Sequence, residues 1–424
     1  MPWFYEESDC ITEKRTEQLI EKFVAEAKKR NSGKLKKILI IPPDLTRYHS
    51  GAGKIAELIY EAFSSDAKVD VLPALGQHFP HTAQENKRMF GSIPNENIYA
   101  HDWKKGCKNL GEVSADYVKK VTGGRVDWPL PIQINSMVFE GEYDLIINIG
   151  QVVPHEVIGF ANHNKNYFSG LGSKETIDAS HMLSACWGIE KTLGRVMTPL
   201  RECFNKAEED FLRDLPDVYI LIVNSCSNKM TGFYVGDDLR IYTLAAKRSK
   251  EKNITILDKP IKKIVAYMDA EEYRSAWLAN KAIYRTRMAI ADGGELLVIA
   301  PGLEVFGEQP EIDALIRKYG YVGTKKVMEF YKKNDDLKDS RSAAAHLIHG
   351  SSEGRFAITY APGKMKREEI EKANFRYMDV NEAIKKYESK KLKDGFNKMP
   401  DGEEIYYIGA PAMGLWACRG KLQK

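Results

Sequence analysis

Between residues 153 and 182 the chain reads VPHEVIGFANHNKNYFSGLGSKETIDASHM, which puts His155, His163, Lys165 and His181 in one stretch with few acids near the first three. Side chains of these types transfer protons near neutral pH, ligate metals or attract anions. Two earlier stretches carry groups that would work with them. In PPDLTRYHSG (42–51), Asp44 and Thr46 suit the start of a helix, whose exposed amides would favour an anion. Arg47 there has the planar fork that grips a carboxylate or phosphate with two parallel hydrogen bonds. In ALGQHFPHTAQE (74–85), Gly76 permits a close backbone approach, and His78 and His81 stand three apart. Pro80 lies between them and argues against one regular helix presenting both to a metal. SGLGSKET, with Gly170, Gly172 and Ser173 ahead of a helix, has the composition of a phosphate-binding turn. It matches neither the P-loop nor the dinucleotide fingerprint. Each histidine alone reads as a satisfied polar group of the fold; together with Arg47 and Lys165 they read as one site.

The elements that must position these residues are short strands alternating with amphipathic helices. KILIIPPDLTR, AKVDVLPALGQH, YDLIINIGQVVPH and DVYILIVNSC each read as a buried strand entering a polar loop, and KIAELIYEAFSS has helical spacing of its apolar residues. Such alternation predicts an α/β fold with mostly parallel sheets, in which ligands bind beyond the carboxyl ends of strands. The loops after residues 41, 74 and 149 all leave such ends. At 424 residues the chain exceeds one ordinary core. The pattern predicts a cofactor-binding domain over 1–267, which the tail 406–424 could rejoin. A smaller α/β domain over 268–405 follows, with the active site in the cleft between the two.

Composition narrows the class. Lys and Arg total 63 against 59 acids, a balance that gives no electrostatic case for nucleic acid or a membrane surface. The six cysteines are scattered without a C-x-x-C pair, which disfavours a disulfide scaffold or zinc knuckle. MPWFYEESDC does not read as a signal peptide, and no apolar run approaches the roughly 20 residues of a membrane helix. The expectation is a cytoplasmic enzyme.

The ordered set DLTR, G-x-H, G-x-x-V-P-H-x-x-I-G-F, a lysine ten residues after that histidine and a histidine sixteen beyond the lysine resembles the nickel-dependent lactate racemases and related 2-hydroxyacid racemases and epimerases. That resemblance implies inversion of C2 of a 2-hydroxy acid by hydride transfer to and from a tethered nickel-pincer nucleotide. The cofactor is pyridinium-3-thioamide-5-thiocarboxylic acid mononucleotide holding nickel through S–C–S, and separate maturation proteins build it. By the resemblance, Lys165 is the covalent tether, His181 the nickel ligand, and His78 and His155 the acid–base pair. Arg47 is a substrate-side arginine supported by Asp44. From the composition of their two loops, Asp44, Thr46, Gly170, Gly172 and Ser173 are expected to line the cofactor's phosphate.

Two departures stand out. Lactate racemases carry Y-Q-x-x-K on the second domain to hold the substrate carboxylate, whereas FGEQPEIDALIRKYGY lacks it and offers Arg317 as a substitute. ANHNKNYF places Asn162, His163, Asn164 and Asn166 around Lys165, polar groups that would suit a larger hydroxylated substrate such as a sugar (aldonic) acid, with His163 contacting it; ordering of the loop is the other role they would fit. Two other classes compete: a zinc hydrolase or lyase ligated by His78, His81 and His155, and a non-catalytic nucleotide-binding module.

Overall fold

The computed structural model describes residues 2–387 and 391–422. The chain divides into two compact units, Met1–Ser180 with Arg195–Asn253, and His181–Gly194 with Ile254–Lys424. In the first unit a six-stranded sheet runs in the order Pro2–Glu7, Met230–Gly236, Asp217–Asn224, Leu145–Gln151, Lys37–Ile41, Lys68–Val71. The last four strands are parallel, and the first two join through antiparallel pairings. All of Leu145–Gln151 and residues 38–41 are buried. A parallel strand covered on both faces demands such a continuous apolar run. The helices Glu13–Arg30 and Ala52–Phe63 pack Leu19, Phe23, Ile55, Ile59 and Phe63 into this core. Each such side chain, once buried, contributes roughly 1.5–3 kcal/mol.

Lys37–Ile41, Lys68–Val71 and Leu145–Gln151 are consecutive in the sheet, so their outgoing loops leave one edge together. Pairing continues past the strand ends, where Pro43 bridges Ala74 and the Ala74 amide donates to the Pro42 carbonyl at 2.8 Å. The loops 42–51 and 74–82 therefore start side by side.

The second unit has its own sheet, in the order Arg376–Tyr377, Ala357–Pro362, Ile290–Ala300, Ile261–Tyr267, Glu404–Ile408, Gly395–Lys398, parallel except for the last strand. Two α/β units with mostly parallel sheets match the fold class expected from the sequence. The division falls at 253/254 rather than 267/268, because Ile261–Tyr267 is an interior strand of the second sheet. The described part of the tail, 406–422, also stays there: Glu404–Ile408 pairs with Ile261–Tyr267, and Leu415–Cys418 pairs with Ile254–Leu257. Among the described residues no helix is long and apolar enough to cross a membrane.

The strand Asp217–Asn224 opens on a carboxyl group that the fold encloses. Tyr167 Oη donates to Asp217 Oδ2 at 3.1 Å. Burial, reinforced by the charge of Glu208, pushes Asp217 from 3.8 up to about 8, against the Tyr167 and Tyr219 hydroxyls that favour its anion. The folded chain thus keeps a proton that the unfolded chain releases near pH 4. Stability therefore falls as pH rises from about 4 to about 8. Asp217→Asn removes this loss while keeping an acceptor for Tyr167. Thermal melts at pH 8 should place its midpoint above wild type by roughly 2–6 °C, with the gap closing toward pH 4; a gap that is independent of pH would refute the assignment.

Candidate functional site

Asp44 ends the first strand loop buried, with one oxygen accepting from Thr46 Oγ1 at 2.7 Å and the other from His78 Nδ1. Burial would raise its pKa, but the charge and hydrogen bond of His78, the charge of Arg47 and the Thr46 hydroxyl prevail and hold it well below the usual carboxylate range. Facing an ionised carboxylate, His78 Nδ1 carries a hydrogen. Arg47 is half-buried beside them, with Nη1 donating to Thr46 Oγ1 at 3.2 Å. His81 serves differently. Its Nε2 accepts from the Leu45 amide at 2.9 Å and its Nδ1 bonds Asn86 Oδ1 at 3.1 Å, so it braces the turn Leu45–Ser50. A ring engaged at both nitrogens is not a zinc ligand, and among the described residues no group of three His, Cys, Asp or Glu could hold a metal. The zinc reading therefore loses its ligand set.

The third loop forms a small hairpin, Pro154–His155 with Gly159–Phe160. His155 is buried, and its Nδ1 accepts from the Val157 amide at 3.1 Å. The chain then passes through Asn162 (φ 70°) and His163 (φ 59°), a left-handed step that asparagine and histidine tolerate better than most residues. Arg201, buried on the helix Pro199–Phe211, holds this step. Its guanidinium donates to the Phe160 carbonyl at 2.8 Å, to the Asn162 carbonyl at 3.2 Å and to Asn164 Oδ1, and lies 4.2 Å over the Tyr242 ring. Asn164 Nδ2 bonds Asn205 and Glu208, each at 2.8 Å, and Asn166 Nδ2 bonds Asn148 at 2.8 Å.

Lys165 leads into the π-helical turn Asn166–Gly170, a geometry often found at functional positions. Its amine is drawn down to about 8, first by burial, then by the positive charges of Arg47 and Arg201, with Glu156 and Asp44 opposing. Charges from the first and third loops and from the helix Pro199–Phe211 thus act on one amine. A lysine of this kind is partly unprotonated near pH 7–8 and acts as a nucleophile.

Several expected contacts fall elsewhere. His163 is 1% exposed, stacked at 3.9 Å on Tyr219, and burial drives its pKa down to about 3, so it packs the interior instead of meeting substrate. Asn162, Asn164 and Asn166 are buried and order the loop, Asn162 by accepting from the His163 amide and the other two by tying it to the helix Pro199–Phe211 and to Asn148, the second of the two roles open to them. The phosphate-binding turn is also corrected. The Ser173 amide donates to Gln133 O at 3.0 Å, the Leu171 amide to Asn166 O at 2.8 Å, and Ser173 Oγ caps Thr176 at 3.2 Å. Gly170 and Gly172 serve close packing: added Cβ atoms would lie 2.6 Å from the Ala74 Cβ and 2.2 Å from the Phe168 carbonyl oxygen. In the second unit Arg317 is engaged by Asp313 and Glu369, each at 2.5 Å, so it is not available as a substrate clamp. An aromatic residue and a lysine four apart, as in Y-Q-x-x-K, occur at Trp277 and Lys281, with leucine at the glutamine position. His181 lies on the helix Lys174–Trp187, partly exposed, and groups with the second unit.

Arg201 and Glu208 lie on the helix Pro199–Phe211, away from the strand-end loops, and Glu156 follows His155. Only the contacts of the folded chain mark them.

Residues 5–191 match the lactate racemase N-terminal domain. The lactate racemase of Thermoanaerobacterium thermosaccharolyticum is 29% identical over 150 residues, 34% of this chain and 32% of that protein. The match thus spans about a third of that curated relative. A crystal structure of a Thermotoga maritima protein from a structural-genomics consortium superposes with a TM-score of 0.81 at 24% identity, covering 98% of this chain and 100% of that one. The lactate racemase apoprotein of T. thermosaccharolyticum gives 0.71 at 18% identity, covering 95% and 92%. At these identities the two likenesses show a shared fold.

The electrostatics of Lys165 are open to direct measurement. Pulse labelling with an amine-selective reagent, read by peptide mass, should give a half-maximal rate near pH 8, against roughly 10.4 for an unperturbed lysine. Arg47→Gln should move that midpoint upward. A midpoint near 10 in the unaltered chain would contradict the assignment.

Proposed function

From the match of residues 5–191 to the lactate racemase N-terminal domain, we propose that the chain is an isomerase that inverts C2 of a 2-hydroxy acid. The observation that carries this proposal is the lowered pKa of Lys165, inside the matched segment, on which the charges of Arg47, Glu156, Arg201 and Asp44 all act. An amine held near neutrality fits a covalent tether for the nickel-pincer nucleotide. When bound, that group supplies nickel and an acceptor for hydride. His181 is the proposed nickel ligand, since imidazole suits nickel. The phosphate would lie near Arg47 and Thr46 rather than on the turn at 170–173, where the Leu171 and Ser173 amides are engaged. Maturation proteins that build the cofactor are part of the same proposal.

The chain's own residues then bind and move protons. Arg47 orients the substrate carboxylate through its fork. His78 and His155 exchange the hydroxyl proton from the two sides on which it points in the two stereoisomers. Because Asn162, Asn164 and Asn166 are taken up by the loop, short 2-hydroxy acids, lactate among them, are the substrate class we propose in place of sugar acids.

The test uses protein made with nickel and the maturation proteins. With C2-deuterated lactate, hydride transfer predicts racemisation that retains most of the deuterium. Racemisation with wash-out into solvent would overturn the hydride route, and no racemisation of any short 2-hydroxy acid would overturn the activity. His78→Ala and His155→Ala should each lower kcat by about 10²–10⁴ with nickel content unchanged. His181→Ala should instead lose nickel.

A further inference from the structure

The two histidines proposed as the acid–base pair have different partners at Nδ1, and these partners demand opposite tautomers. His78 Nδ1 faces the Asp44 carboxylate, which stays ionised, so the hydrogen of a neutral His78 ring sits on Nδ1 and its lone pair on Nε2. Adding a proton at Nε2 creates an imidazolium directly against a buried carboxylate, which favours it. His155 is the reverse. Its Nδ1 accepts the Val157 amide hydrogen at 3.1 Å, so that nitrogen holds the lone pair and the ring hydrogen sits on Nε2. Protonating His155 Nδ1 would break this bond and set two N–H groups against each other within a buried hairpin.

We propose that the resting chain is thereby preset, with His78 as the proton acceptor at Nε2 and His155 as a neutral hydrogen-bond donor at Nε2. Asp44 and the Val157 amide are the positioning groups that fix these states. The contact of both rings with substrate rests on the function proposed above; their tautomers do not. A hydroxyl on the His78 side meets a ready base: its O–H bond breaks, the proton joins Nε2, and the electron pair stays on oxygen. A hydroxyl on the His155 side meets an N–H donor. His155 can act as base only after its ring turns or the Val157 amide lets go. The two directions of turnover therefore face unequal barriers after binding. Enantiomers have equal free energy, which ties their kcat/KM values together, so the inequality must appear as kcat and KM differing in parallel.

The test is the ring nitrogens themselves. Full-length protein with ¹⁵N-labelled histidine rings, read by long-range ¹H–¹⁵N correlation near pH 8, is assigned by comparison with His78→Gln and His155→Gln. The neutral Nδ1–H tautomer at His78 together with the Nε2–H tautomer at His155 is the expected result, and a His78 protonated on both nitrogens would overturn its part as the ready base. The same neutral tautomer at both rings, or Nδ1–H at His155, would overturn the preset. Asp44→Ala should move His78 toward the Nε2–H form that free imidazole favours and leave His155 unmoved; a His78 that kept Nδ1–H would remove Asp44 from the account. If Asp44→Ala does not fold, the spectrum of the unaltered chain still decides the proposal. Preset tautomers in loaded protein that racemises nothing would overturn the proposed function while the preset stood.

Discussion

A buried guanidinium holds the loop on which the site depends. The segment from Phe160 to Asn166 carries polar backbone into the interior, where each unpaired carbonyl would cost about 1–3 kcal/mol. Arg201 meets the carbonyls of Phe160 and Asn162 and the side chain of Asn164 at once, and its charge is shared with the face of Tyr242. Glu208 receives the other side of Asn164. This arrangement lets two non-glycine residues sit in the left-handed region and sets Lys165 at the start of the π-helical turn.

The same guanidinium is part of the chemistry. Its charge adds to that of Arg47 in disfavouring a third cation at Lys165, while burial removes the water that would stabilise it. Loop structure and reactivity at this amine thus share one group, Arg201. Nearby, Asp44 ties the first loop to the second by holding His78, and His81 ties them again through the Leu45 amide. Gly170 closes the third contact, with its carbonyl accepting from Gly76 at 2.8 Å and no room for a side chain against Ala74.

Much of this was legible in the sequence. Continuous apolar runs marked the parallel strands, and loops at their carboxyl ends carried the reactive side chains. The spacings from His155 to Lys165 and on to His181 pointed to the family that the N-terminal match supports. What could not be read depended on distant partners. Glycines at 170 and 172 look alike in sequence whether they free amides for a phosphate or admit a close neighbour, and only Ala74 and Phe168 decide between the two. The asparagines around Lys165 looked like substrate contacts because Arg201 and Glu208 lie some forty residues away. Arg317 looked available until Glu369 was brought beside it, and the end of the first unit was misplaced because Ile261–Tyr267 finds its partners in strands much later in the chain.

The central claim is that Lys165 is a covalent anchor rather than a buried structural cation. The most direct measurement is the mass of the peptide containing Lys165 from protein produced with the cofactor's maturation proteins and nickel. A sulfur- and phosphate-bearing adduct on that lysine, absent from Lys165→Ala, is the expected result. An unmodified Lys165 peptide from protein that racemises a 2-hydroxy acid at full rate would contradict it.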